Sequence, residues 1–127
     1  TDNESVRDEM DLYAAWQARV MDICGAKGWK VAVGRFAVGN PREGDYAKMR
    51  VMWEALAKWH PLHTWSPNEY IPQDIKDAGG MVGRYLLGIA AAKNIGAWPF
   101  DVSIGEYGVV YRKPDGGLRL IIYAAGH

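Results

Sequence analysis

Residues 107–124 read YGVVYRKPDGGLRLIIYA, and this stretch decides the expected fold. Two runs rich in β-branched, aromatic and aliphatic residues, 107–113 and 118–124, flank Pro114-Asp115-Gly116-Gly117. Proline presets φ at the second position of a turn and glycine reaches positive φ without steric cost, so the segment is a predicted hairpin. Leu118, Leu120 and Ile122 alternate with Arg119, Ile121 and Tyr123. The second face is therefore partly apolar too, which predicts that helices or a partner cover it and leaves room for a homodimer. A further strand is predicted over 102–106.

Upstream of the hairpin the period changes. Over 5–26, Val6, Met10, Tyr13, Trp16, Val20 and Ile23 recur three and four apart, the spacing of an amphipathic helix. Glu4, Asp8, Glu9 and Asp11 crowd its first turns, where the helix dipole favours anions. Residues 29–38 alternate as an extended segment, with Trp29, Val31 and Val33 on one side. Gly39-Asn40-Pro41 breaks the chain, and Asp45 is the expected cap of a second helix carrying Tyr46, Met49, Trp53, Leu56 and His60. Ser66-Pro67-Asn68-Glu69 has the chemistry of a capping box. A third helix follows, with Ile75, Val82, Leu86 and Ile89 on one face and glycines at 79, 80, 83 and 88 weakening it.

The predicted order is thus α, β, α, α, β, β, β. That order implies an α+β fold, a three- or four-stranded antiparallel sheet with about three helices packed on one face. At 127 residues the chain suits a single domain spanning 1–127. Its 49% hydrophobic and 24% charged residues are those of a globular protein. No apolar run approaches the roughly 18 residues of a membrane helix, and no signal peptide is legible, so no membrane partner is expected. Cys24 is the lone cysteine, which excludes an intramolecular disulfide and a thiolate zinc cage and favours a cytoplasmic setting.

The net charge is zero but unevenly spread. Residues 1–22 hold six acids against two bases, and 27–58 hold seven bases against three acids. The basic segment, interleaved with Trp29, Phe36, Tyr46 and Trp53, offers a nucleic-acid reading, against which the neutral overall charge weighs.

The most unusual stretch is 59–70, WHPLHTWSPNEY. Aromatic residues on a proline-framed loop supply contact area at low entropic cost. Trp59, His63, Trp65 and Tyr70 are therefore the expected contacts for a protein partner, as in an inhibitor, adaptor or assembly component. The opposing reading tucks Trp59 and Trp65 under the loop as core. An alternative from the same stretch is a small metal-dependent or acid–base enzyme using His60, His63 and Glu69. The i, i+3 histidine spacing with a proline inside weakens a metal site, so no metal is expected. A carboxylate pair of Asp101 with Glu106 is a further arrangement that only a structure can test.

Asp77-Ala78-Gly79-Gly80-Met81-Val82-Gly83-Arg84 looks like an anion loop but lacks the G-K-[ST] ending. Close helix packing accounts for it better, and no cofactor is expected. No nucleophile motif is present, and Cys24, beside the apolar stripe of the first helix, reads as an inert thiol.

Overall fold

A computed structural model describes residues 8–36, 40–72, 84–112, 115 and 118–125; for 70–72, 106–112 and 118–125 it describes the backbone alone. Three helices, α1 (Met10–Ala26), α2 (Arg50–Trp59) and α3 (Tyr85–Asn94), are joined by a 3-10 helix at Glu43–Met49 and by six strands. The strands are β1 (Ala32–Val33), β2 (Thr64–Trp65), β3 (Asn68–Pro72), β4 (Asp101–Val102), β5 (Glu106–Arg112) and β6 (Leu118–Ala125).

The expected antiparallel sheet is not what forms. β1, β2 and β4 make a three-stranded sheet in that order, and both of its pairings are parallel. β3, β5 and β6 make a second group, in which β3 and β5 are again parallel and the β5–β6 hairpin alone runs antiparallel. The physical reason lies in the connections. The 3-10 helix and α2 stand between β1 and β2, and α3 stands between β3 and β4, so each return crosses over and lays the next strand parallel. Strands of two residues carry no alternation to read, and the sequence signal was dominated by the one long hairpin.

β2 with β3, and β4 with β5, behave as two bent strands. The parallel ladder is carried across the bends by Ser103 N to Trp65 O at 2.9 Å and Gly105 N to Pro67 O at 2.7 Å. Thr64 pairs with Asp101 before the bend and Asn68 with Glu106 after it, so the β4–β5 side accommodates one extra residue.

Alternation separates the two faces of the parallel sheet. Ala32, Thr64 and Asp101 lie in one cross-strand row, exposed or half-buried, and Val33, Trp65 and Val102 lie in the other. The second row packs on the helices. Trp65 is wholly buried, its ring 4.9 Å from that of Trp53 on α2 in an edge contact. Gly34 and Gly88 let that indole in. A Cβ on Gly88 would come within 2.2 Å of the ring and one on Gly34 within 2.6 Å, and Gly34 also has φ of +72°. Met49, Met52, Leu56 and Phe100 complete this core.

α1 packs on α2 through Met10, Tyr13, Ala14, Gln17 and Met21. The expected stripe is rotated, because Trp16 and Ile23 are exposed. Gln17 takes the buried place by donating to Tyr13 Oη at 3.0 Å, which meets the requirement that buried polar groups be bonded.

Asp45 does not cap the helix but stands in its first turn, and Arg42 is the cap. The Asp45 carboxylate accepts from Arg42 N at 3.0 Å, Arg42 Nε at 3.1 Å and Lys48 Nζ at 3.0 Å. Burial raises its pKa, but the bonds from Lys48 and Arg42 outweigh burial and hold it below the ordinary carboxylate value. A depressed carboxylate stabilises above its unfolded pKa of ~3.9, and that stability is lost as pH falls through the lower folded value. Asp45→Asn should therefore lower the melting temperature by a few degrees at pH 7, in line with ~1 kcal/mol for a capping group. The gap between parent and variant should close in melts taken at progressively lower pH below ~4.

Candidate functional site at the carboxyl ends of the parallel strands

Three segments follow the short strands at the same end of the sheet: 34–36 after β1, 66–67 between β2 and β3, and 103–105 between β4 and β5. Polar side chains converge there. A Cβ on Gly105 would meet Arg35 Nε at 2.7 Å, and Asn68 Oδ1 and Ser66 Oγ at 2.8 Å, so glycine is what leaves room for them. Asn68 Nδ2 donates to Phe36 O at 3.1 Å. Register sets the backbone of Glu106 directly beside Asn68, with Glu69 the next residue along.

Glu69 is 6% exposed, and its Oε1 accepts from Tyr85 N at 3.0 Å, where α3 begins. A carboxylate at that point meets the positive end of the helix. Arg84, the preceding residue, donates to Pro41 O, and its guanidinium is near enough to Tyr46 to pull on the phenol electrostatically. Burial pushes Tyr46 up to about 12 against the pull of the Arg84 guanidinium, so the phenol stays protonated at any working pH. Asn40 is buried next to Pro41. Among the described residues, Asn40 Oδ1 and Arg84 Nε are buried without a hydrogen-bond partner. A cleft of about 290 Å³ borders the same tyrosine, lined also by Glu43, Ala47, Trp53 and Leu87.

The residues expected from the 59–70 stretch are dispersed. Trp65 and His63 are wholly buried and present no surface to a partner in this conformation. His63 accepts from Val31 N at 3.3 Å through Nδ1, which leaves Nε2 to donate to Met21 O at 2.9 Å. It ties β1 and β2 to α1. Trp59 is half-buried, stacks on Gly25 and donates from Nε1 to Asp22 at 2.8 Å. That bond, followed by the one from Lys58, lowers the Asp22 pKa. The side chain of Tyr70, the apolar face at Ile121 and Tyr123, and the glycine loop up to Gly83 all lie outside the described residues.

His60, His63 and Glu69 do not converge. His60 stands 3.4 Å from Asp101 at the start of β4, His63 turns toward α1, and Glu69 lies beyond the other end of the sheet. No group of three His, Cys, Asp or Glu side chains among the described residues is placed to hold a metal. Asp101 opens β4 and Glu106 opens β5, five residues further along the same bent strand.

In the basic 27–58 segment, Arg42 pairs with Asp45 and Asp8, Lys48 with Asp45, Arg50 with Glu54 and Lys58 with Asp22. Lys27 lies over the Trp29 ring. Four of the seven bases of this segment are thus ion-paired within the fold.

Sequence reasoning missed Asn40, Tyr46 and Arg84 as site residues. No spacing or motif in the sequence marks these three residues as neighbours. No family model matches the chain, and neither does a curated protein or a solved structure. No described helix is long and apolar enough to cross a membrane.

Because Trp65 is core, Trp65→Ala should cost ~3–5 kcal/mol. Thermal melts should show a fall of more than about 10 °C. A melting temperature that held would mean the indole is not buried as described.

Proposed function

We propose that the chain is an acid–base hydrolase with its site at the carboxyl ends of the parallel strands. Glu69 is the acid–base carboxylate. The observation that carries this reading is its setting: it is 6% exposed at the bend where β2 passes into β3, and its Oε1 accepts from the N–H of Tyr85 that opens α3. A carboxyl held there can take a proton from water or give one to a leaving oxygen. Ligands of α/β sheets bind outside the carboxyl ends of the strands, and buried ionisable groups gather here. The reading keeps Glu69 from the acid–base alternative and sets aside its histidines, one of which is spent on Val31 and Met21.

The test is hydrolysis of a panel of aryl esters and aryl glycosides. Glu69→Gln should lower kcat/KM by at least ~10²-fold. Absence of hydrolysis across the panel, or full activity in the variant, overturns the assignment.

A protein-binding role, the reading first suggested by the 59–70 stretch, finds its support elsewhere. Leu12, Trp16 and Ile23 are exposed along α1, and Trp29 just beyond it is 59% exposed. Exposed apolar side chains of this size mark contact surfaces when they group. On this reading the partner is a protein and the lone thiol of Cys24 suits the cytoplasm. An immobilised parent chain should then retain a defined partner that the Trp16→Ser/Trp29→Ser double variant releases. Equal retention by both would remove this second reading.

A further inference from the structure

We propose that α1 pairs antiparallel with α1 of a second copy of this chain, through Leu12, Trp16, Arg19 and Ile23; the inference rests on the protein-binding reading of α1 and names its partner. On the face of α1 packed against α2, Met10, Tyr13, Ala14, Gln17 and Met21 are buried. The opposite side carries Leu12, Trp16 and Ile23, which are 63%, 47% and 46% exposed, with Arg19 exposed between them. These four residues stand four, three and four apart, the interval of a coiled-coil seam. At ~100° of turn per residue they fall within about 60° of one another, so the helix has a second, largely apolar face open to solvent.

Charge selects the occupant and its direction. Parallel pairing would set Arg19 against Arg19 and gather Glu9 and Asp11 of both copies at one end. Antiparallel pairing about a two-fold axis level with the 17–18 peptide sets Leu12 of one copy against Ile23 of the other. The same register sets Trp16 against Arg19, a guanidinium over an indole. Every contact then occurs twice, the self-complementarity that a two-fold interface requires. Arg19 is available for it, because the nearby Asp22 carboxylate already accepts from Lys58 and Trp59. Glu9 and Lys27 are the caps of α1 and stand eighteen residues apart. That is five whole turns, so both lie on one flank of the seam and each meets the other across the two-fold. The Lys27 ammonium sits 4.7 Å from the centroid of the Trp29 ring. A single helix pair is a small interface, so the dimer is weak and concentration-dependent.

The experiment is sedimentation velocity of the full chain across a concentration series reaching the high micromolar range. The parent should pass from monomer to dimer. Trp16→Ser, which removes a side chain already half in solvent, should weaken self-association by roughly 10²-fold. Glu9→Lys and Lys27→Glu should each self-associate roughly 10-fold more weakly, since two pairs become repulsive. An equimolar mixture of these two variants should dimerise like the parent, because opposite charges then meet at both ends. A parent that stays monomeric overturns the proposal, as does a dimer that survives Trp16→Ser or a mixture no tighter than its components. A monomeric parent that retains a different protein, released by Trp16→Ser/Trp29→Ser, overturns the second copy and leaves the protein-binding reading standing. A monomer that retains nothing removes both.

Discussion

One packed side chain sets the terms for the rest of this structure. The Trp65 indole occupies the space between β1 and α3 that Gly34 and Gly88 leave open, and its Nε1 donates to Gly34 O at 3.3 Å. Replacing either glycine would force a Cβ into the ring. Trp53 from α2 closes the third side and is in turn stacked on Phe100, 5.8 Å away with the ring planes nearly parallel. Both helices are thereby drawn to one face of the parallel sheet. Since strand residues alternate, a Trp65 that points into the helices sends Thr64 to the opposite face. No other choice of facing would bury the largest side chain of the strand.

That constraint also locates the polar cluster. Beyond Trp65 the strand bends, and Ser66 and Pro67 make the bend before β3 begins at Asn68. The matching exit after β4 is one residue longer, and Gly105 lies in it where Arg35, Ser66 and Asn68 crowd together. A bend of this kind re-aims side chains at a strand end, which is where such irregularities serve binding and catalysis. Glu69 is brought to the start of α3 by the same bend. Packing on the helix side thus dictates which groups meet beyond the sheet.

Legibility in the sequence followed element length. The helical spacing of Tyr46, Met49, Trp53 and Leu56 carries over seven or more residues, and these side chains are indeed buried together. The hairpin strands are seven and eight residues long and pair antiparallel as their alternation implies. The parallel strands were invisible because two residues define no period, and their pairing depends on partners more than thirty residues away in sequence. On α1, Trp16 and Gln17 are adjacent, and a hydrophobic count chose the tryptophan as core where a buried hydrogen bond to Tyr13 chose the glutamine. The 59–70 stretch drew attention through its aromatic content, yet composition could not separate a contact tryptophan from a core one. What decided Trp65 was the pair of glycines facing it, at positions 34 and 88.

Buried ionisable groups divide into those a fold requires and those it does not. Asp45 is explained locally, since its bonds go to Arg42 and Lys48 within one turn and complete a helix terminus. His63 is explained too, with both ring nitrogens engaged by the backbone of β1 and α1. Glu69, Arg84 and Tyr46 are different. They come from three separate segments. A carboxylate bonded to a helix start could have been a serine or asparagine at less desolvation cost. Sites that must hold charge for chemistry make that trade, and it is the reason function is sought there rather than on the tryptophan loop.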